Sequence, residues 1–127
     1  MATGDDPFVR LLDFAVRAIK LARALPRDMT AQHIARQILR SGTSAGANYE
    51  EARGAESHAD FVHKIGIVLK ELKETRYWLM VISQAKLLRV SHLRPLLDES
   101  GELCAIIGQS VITAKKRRAS AKSSAQA

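Results

Sequence analysis

Residues 61–82 read FVHKIGIVLKELKETRYWLMVI, and this stretch decides the fold class of the chain. Its apolar and small side chains recur at spacings of three and four, which is the period of a helix that buries one face. Ser57, with Asp60 three residues later, resembles a capping box and predicts where this helix begins. The predicted buried seam consists of Phe61, Ile65, Val68, Leu72, Thr75, Leu79 and Ile82.

The segment before Pro26 has the same period and predicts a first helix. Asp6 is a good N-cap, and Pro7 suits the first helical position because it has no N–H to leave unpaired. The stretch Pro26–Asp28 should end this helix. We expect its apolar face to comprise Phe8, Leu12, Ala15, Ile19 and Ala22, flanked by Leu11, Phe14, Leu21 and Leu25.

Two more helices complete the pattern. The second is expected to open at Thr30 and to end at Gly54, and Ser91 is expected to cap the fourth. The pair Gly42 and Gly46 predicts close packing of a neighbouring helix on the second. The expected seam of the second helix is Ile34, Ile38, Ser41, Ala45, Asn48 and Ala52. That of the fourth is Leu93, Leu97, Ser100, Cys104, Ile107, Val111 and Ala114.

Short connections between long helices favour antiparallel neighbours. The predicted fold class is therefore all-α, an antiparallel up-down four-helix bundle. We expect residues 1–118 to form the bundle domain and residues 119–127 to form a flexible C-terminal tail, because the end of the chain is rich in Ala, Lys and Ser.

Composition indicates a reduced, cytoplasmic protein. The chain has 127 residues, of which 46% are hydrophobic and 26% charged, which is typical of one globular domain. Its single cysteine cannot build a disulfide framework, and its acidic first residues do not resemble a signal peptide. The longest apolar run, about residues 77–82, is far shorter than a membrane span, so no membrane partner is expected.

The net charge of +7 is concentrated at the end of the chain. No acidic residue follows Glu102, whereas five basic residues follow Ala114, so the rest of the chain is nearly neutral. These five residues either keep the protein soluble or bind phosphates of RNA or DNA electrostatically. The candidate nucleic-acid-binding residues are Lys115, Lys116, Arg117, Arg118 and Lys122.

No pattern in the sequence predicts catalysis, a metal site or a cofactor. Asp60 and His63 are the closest approach to a carboxylate–histidine metal motif, and they fall in the first turn of a helix. Cys104 lies on the expected core seam, where a thiol behaves as a small hydrophobic group. Gly42 and Gly46 lack the lysine and hydroxyl residue that complete a phosphate-binding loop.

A polar stripe is the most informative feature of the second and third helices. Its members on the second helix are three or four residues apart and therefore share a face. We hypothesise that Arg40 and Asn48 meet Glu71 or Glu74, across the helix pair or across a subunit interface, in a partly buried network that fixes register. A solvated polar face is the alternative. The candidate residues are Gln37, Arg40, Ser44, Asn48, Glu51, Glu71 and Glu74.

Residues 37–52, QILRSGTSAGANYEEA, resemble the signature of the bacterial four helix bundle protein family. This family was first named for proteins encoded in intervening sequences of large-subunit ribosomal RNA genes. The resemblance continues through Ser57, Asp60, Phe61 and Lys64, then through residues 69–71 and 74–79, and covers roughly residues 8–114. Where many relatives read Ile-Pro-Ser-Asn, this chain has Ala-Gly-Ala-Asn at residues 45–48.

The resemblance implies a left-handed up-down bundle that usually assembles as a homopentamer. It also implies that Gln37, Arg40, Ser44, Asn48, Glu51 and Glu74 occupy characteristic positions of the family. A related branch comprises accessory proteins of diversity-generating retroelements, which bind nucleic acid and a reverse transcriptase. Those relatives are strongly basic, whereas the body of this chain is nearly neutral.

Two functions remain open from the sequence. The first is a non-enzymatic oligomeric scaffold that binds RNA or another nucleic acid through the basic C-terminal residues. The second is a protein–protein interaction module with no nucleic-acid role, for example an accessory subunit of a reverse transcriptase or another complex. The basic tail favours the first function, and the nearly neutral body favours the second.

Overall fold

The computed structural model of the protein describes residues 6–126 and contains four helices. These are α1 (Pro7–Ala24), α2 (Met29–Arg53), α3 (His58–Gln84) and α4 (Val90–Gln126). Short turns connect them. Residues 1–5 of the predicted bundle domain and Ala127 of the predicted tail lie outside the described residues.

The helices follow one another around a single core. Each helix packs against the next one in the chain, and α4 returns to α1 through a less extensive contact. Contacts between distant residues run in opposite directions: Ser41 meets Thr75 and Glu51 meets Lys64, so α2 and α3 are antiparallel. The predicted all-α antiparallel four-helix bundle is confirmed, and residues 6–126 include no strand.

The helix starts follow from their capping side chains. The Asp6 carboxylate accepts the Phe8 N–H, and the Ser57 hydroxyl accepts the Asp60 N–H, so both predicted N-caps are confirmed. The predicted start at Thr30 is wrong, because the carboxylate of Asp28 caps α2 by accepting the Ala31 N–H. At the other end of α2, Gly54 is the C-cap, as predicted.

The predicted start of α4 at Ser91 is also wrong. The carbonyl of Arg89 already accepts the N–H groups of His92 and Leu93, so Ser91 lies inside the helix. Pro95 consequently falls in the second turn of α4 instead of the first. Its ring nitrogen cannot donate, and this removes one helical hydrogen bond near the exposed start of the helix.

The predicted seam is correct for most of α3 and wrong for α1. On α3, every predicted seam residue is buried except Phe61, whose place is taken by Val62. On α1, Leu12 is 56% exposed, and Ala22 is the one predicted seam residue that is buried. The core is formed by Ala22, by Ala18 and by the four residues predicted to flank the seam, Leu11, Phe14, Leu21 and Leu25. On α4, Leu96 and Leu103 are buried, whereas Leu97 and Cys104 are only half-buried.

Helix α4 is the longest of the four and continues past the other helices. His58 opens α3, and its Nε2 lies 2.8 Å from the carbonyl oxygen of Ala114, to which it donates. The residues that follow Ala114 remain helical through Gln126, a length of about 18 Å at 1.5 Å per residue. The predicted tail is therefore helical over residues 119–126, and its predicted flexibility stays a prediction.

The closest approach between helices occurs where α1 crosses α2. A Cβ atom built on Gly42 would lie 2.8 Å from Cβ of Ala18, which is too close for two carbon atoms. A Cβ atom on Gly46, one turn later, would lie 3.5 Å from Cβ of Leu11, an ordinary van der Waals distance. Of the two glycines that predict close packing, only Gly42 is required by it.

This difference gives a matched pair of substitutions. We expect Gly42→Ala to lower the free energy of unfolding by up to about 2 kcal/mol, because overpacking costs about 1–3 kcal/mol and the better helix propensity of alanine offsets about 1 kcal/mol. Gly46→Ala should be neutral or stabilising by up to about 1 kcal/mol. Urea unfolding of both variants checks this, and equal stabilities would contradict the assigned contact.

Candidate functional site

Arg40 of α2 lies at the centre of a polar network with α3. Its Nη1 is 3.4 Å from an oxygen of Glu71, and its Nη2 pairs with Glu74 and donates to Gln37 Oε1 at 3.2 Å. The side chain of Arg40 is 50% exposed, whereas those of Glu71 and Glu74 are 20% and 35% exposed. The network lies within one chain, at the edge of the α2–α3 contact.

Trp78 extends this network along α3. Its indole Nε1 donates to Glu74 at 3.0 Å, four residues earlier on the same helix. The ring of His33 meets Trp78 edge to face, with centroids 5.9 Å apart. Glu74 therefore accepts from both a guanidinium and an indole, and these contacts fix the position of its carboxylate.

A buried hydroxyl pair lies beneath Arg40. Ser41 and Thr75 are fully buried, and their hydroxyl oxygens are 2.8 Å apart. The Ser41 hydroxyl donates to the carbonyl oxygen of Gln37, and the Thr75 Oγ1 lies 2.8 Å from the carbonyl oxygen of Glu71. Because both groups have partners, they can link α2 to α3 without the cost of an unsatisfied polar group.

The rest of the predicted stripe does not join the Arg40 network. The Asn48 amide donates to the carbonyl oxygen of Ser44 at 2.9 Å, within its own helix, and does not meet Glu71 or Glu74 within the chain. The Ser44 hydroxyl likewise donates to the carbonyl oxygen of Ser41. Glu51 pairs with Lys64 of α3 at 3.3 Å and is exposed.

The predicted nucleic-acid-binding residues all lie on the last part of α4. Lys115, Arg118 and Lys122 are spaced by three and four residues and share one face. Arg118 is half-buried, and the other four basic residues are exposed. Among the described residues, none of the five takes part in an ion pair.

Sequence reasoning missed further basic residues on α3. Lys70 and Lys73 line the same depression between α3 and α4 as Lys115 and Arg118. Lys73 lies beside Gly101 and Cys104, whereas Lys115 and Arg118 lie at the other end, beside the start of α3. The signal was present in the sequence, because Lys70, Lys73 and Tyr77 are spaced by three and four residues. Counting charge along the chain conceals it, since Glu71 and Glu74 cancel the two lysines in the sum.

A second missed feature joins α1 to α4. Arg10 donates to both carboxylate oxygens of Glu99, from Nε at 3.0 Å and from Nη2 at 2.5 Å. These hydrogen bonds lower the pKa of Glu99 from its ordinary value of 4.5, although partial burial acts in the opposite direction. The pair therefore stabilises the bundle above about pH 4.5, and this contribution is lost as the pH falls and Glu99 is protonated.

The described residues offer little for catalysis. Burial raises the pKa of the Cys104 thiol, so the reactive thiolate form is disfavoured. Cys104 is half-buried and borders the junction of α3 and α4, which corrects its predicted place in the core. Within residues 6–126, no group of three or more His, Cys, Asp or Glu side chains could hold a metal ion. No helix in this range has the length and apolar character needed to cross a membrane.

The Arg40 network leads to a stability prediction. Arg40→Leu should lower the free energy of unfolding by about 0.5–1 kcal/mol, because half-exposed ion pairs contribute little and the substitution leaves Glu71 and Glu74 repelling each other. The loss should shrink at high salt, which screens that repulsion. Urea unfolding at two salt concentrations measures both effects.

Arg36→Leu is the matched control for this experiment. Arg36 is exposed on the same helix and forms no ion pair with the described residues, so its replacement should change stability by less than about 0.5 kcal/mol. Equal effects of the two variants would show that the network contributes nothing. Dissociation of an oligomer by Arg40→Leu alone would place the network at a subunit interface instead.

Comparison with known proteins places the chain in a family. A model of the 23S rRNA-intervening sequence proteins matches residues 9–109. A crystal structure from the S23 ribosomal protein family of Bacteroides thetaiotaomicron, described as a protein of unknown function, is 35% identical. The match covers 83% of this chain and 97% of that one, with a TM-score of 0.78. No curated protein matches. The resemblance drawn from the sequence is confirmed, and the chain belongs to the 23S rRNA-intervening sequence protein family.

Proposed function

We propose that this protein is a non-enzymatic, homo-oligomeric scaffold of the cytoplasm that binds RNA or another nucleic acid through the end of α4. The observation that carries the proposal is the run of basic side chains after Ala114, which lies on a helical extension and has no acidic partner among the described residues. A regular helix spaces these charges along one line, which suits a row of phosphates.

The charge arrangement supports backbone binding without base-specific recognition. Lys115, Arg118 and Lys122 repeat once per turn on the same face of α4. Such contacts release counterions from the nucleic acid, so their affinity depends steeply on salt. No aromatic residue follows Ala114, so stacking of bases has no support in this segment.

A salt titration tests this part of the proposal. Replacing Lys115, Arg118 and Lys122 together by Gln should flatten the dependence of log affinity on log salt by about two to three, close to one for each lost phosphate contact. The matched control replaces Arg23, Arg27 and Arg36 by Gln, which removes the same net charge from α1, the following turn and α2.

Fluorescence anisotropy with labelled RNA and DNA measures both variants. The control should retain the salt dependence of the unaltered protein. An affinity that depends neither on salt concentration nor on the α4 substitutions would contradict the proposal. It would favour the alternative, a protein–protein interaction module with no nucleic-acid role.

The outward face of α1 supports a homo-oligomer. Leu12 and Val16 are 56% and 44% exposed, and Phe8, Ala15 and Ile19 beside them are only half-buried. These residues include the seam that the sequence predicts as core, so α1 is apolar on two sides. A second copy of this chain is the proposed occupant of the outward side, and the family resemblance implies a homopentamer.

Charge on this face should disrupt the assembly. We expect Leu12→Glu combined with Val16→Glu to shift the protein to smaller species in sedimentation velocity while its helical circular dichroism is unchanged, because carboxylates oppose burial in an apolar interface. Met29→Glu is the control, since Met29 is 86% exposed at the start of α2. Identical sedimentation of all three proteins would contradict the proposed interface.

A further inference from the structure

An open furrow runs between the outward faces of α3 and α4, and we call it the α3/α4 furrow. Three adjoining depressions form it, the first sharing Lys73 with the second and the second sharing Arg118 with the third. Its α3 wall includes a row of residues spaced by three and four, namely His63, Gly66, Lys70, Lys73, Tyr77 and Met80. Its α4 side runs from Gly101 to Ala125, a distance of about 36 Å along the helix. The opposite wall ends at the start of α3, where His58 meets Ala114, so the last part of the furrow is formed mainly by α4.

The charge of the furrow has one sign. Seven basic side chains line it and none of its lining residues is acidic. Among the described residues none of these seven forms an ion pair. Such a row of uncompensated cations beside low-dielectric protein raises the local concentration of an anionic ligand. Four of the seven, namely Lys115, Arg117, Arg118 and Lys122, belong to α4, and the other three are Lys70, Lys73 and Arg76 of α3.

We infer that the α3/α4 furrow binds one single strand of nucleic acid along its length. This inference rests on the proposed function and extends its site from the end of α4 to the body of the bundle. Lys70, Lys73 and Arg76 contact phosphates along one part of the furrow, and Lys115, Arg118 and Lys122 contact them along the next. The strand therefore passes from the cations of α3 to those of α4. Tyr77 offers its ring to a base near the far end of the furrow.

The dimensions favour a single strand over a duplex. Packed helices have axes about 8–10 Å apart, so the furrow between their outward side chains is narrow enough for one strand to reach both walls. A duplex is wider than this spacing and would rest on the rims. The length of about 36 Å suits the roughly 4–16 nucleotides that compact single-strand-binding domains cover.

Tyr77 gives the furrow a group suited to a base. Its side chain is 57% exposed, and its ring meets Trp78 edge to face with centroids 5.1 Å apart. Trp78 is itself held by Glu74, so the tyrosine stands against a fixed neighbour. An exposed aromatic ring beside a basic groove is the combination by which proteins bind single strands without sequence preference.

Small residues keep the floor of the furrow open. A Cβ atom on Gly66 would meet nothing within 4 Å, so packing within the chain does not require a glycine at this position. The same open space does not suit a second copy of the chain in the same orientation, because seven cations on each surface would repel each other. A polyanion fits the open space and is attracted by the seven cations.

Four variants test the inference in anisotropy measurements with a labelled single-stranded RNA of about 16 nucleotides and the matching duplex. Lys70→Gln with Lys73→Gln should reduce the slope of log affinity against log salt concentration by about 1.4, or 0.7 for each phosphate contact with a single strand. Arg23→Gln with Arg36→Gln is the control of equal charge, and it should bind as the unaltered protein does.

The other two variants leave the charge unchanged. Tyr77→Leu should weaken binding of the single strand about five-fold or more and leave the salt dependence unaltered, because it removes only stacking. Gly66→Leu should weaken binding by filling the furrow, while its thermal unfolding stays at or above that of the unaltered protein. Circular dichroism confirms that each variant is folded.

The outcomes separate the furrow from the proposed function. If the α4 substitutions weaken binding but the Lys70, Lys73, Tyr77 and Gly66 variants do not, the furrow is not the binding site. Nucleic-acid binding by the end of α4 would then still stand. Equal losses in the Arg23 and Arg36 control would make net charge the cause and overturn the furrow. Tighter binding of the duplex would overturn the single-strand assignment. Absence of binding by the unaltered protein would overturn both proposals.

Discussion

The register of three helices is set at three consecutive residues of α2. Gly42 lets Ala18 of α1 approach to a distance that no side chain at position 42 would permit. Ser41 contacts the buried hydroxyl of Thr75 on α3, and Arg40 reaches Glu71 and Glu74 at the rim of the same contact. A steric contact, a buried hydrogen bond and an ion pair therefore fix α1, α2 and α3 at one level of the bundle. Sliding α1 by one turn would break the steric contact, and sliding α3 would break the hydrogen bond and the ion pair. This short stretch therefore has more influence on the fold than its weak helix propensity suggests.

The success of sequence reasoning on each helix depended on how many apolar faces the helix has. Helix α3 has one dominant face, since lysine and glutamate residues interrupt the positions outside its seam, and the predicted seam is correct at six of seven positions. Helix α1 has two apolar faces of equal period, and periodicity cannot decide which of them is buried. The contact of Ala18 with Gly42 makes that choice, and it depends on another helix. The predicted helix starts at Thr30 and Ser91 were wrong for a local reason, because Asp28 and Arg89 supply hydrogen-bond acceptors earlier in the chain.

At the candidate site, too, some sequence predictions succeeded and others failed. The pairing of Arg40 with Glu71 and Glu74 followed from matching the faces of two adjacent helices. The role expected for Asn48 failed because its amide finds a carbonyl acceptor four residues earlier in its own helix, which competes with any contact across the bundle. Lys70 and Lys73 were missed because the net charge of a segment does not show on which face of the helix each charged side chain lies. Their neighbours Glu71 and Glu74 point towards α2, whereas the two lysines point towards α4, so a nearly neutral sequence carries a strongly polarised helix.

This polarity separates the two proposed surfaces. Helix α1 contributes no residue to the α3/α4 furrow, and the apolar side proposed for assembly belongs to α1. Glu71 and Glu74 of α3 pair with Arg40 on the side of the helix that faces α2, and Glu99 of α4 pairs with Arg10 of α1. Neither set of carboxylates therefore opposes an anionic strand at the furrow. An oligomer built on α1 would leave one furrow open on every subunit, and a strand that spans two furrows would gain from the high effective concentration of the second. In such an oligomer, assembly and nucleic-acid binding would support each other without sharing a residue, and weak contacts in each furrow would combine along a long strand.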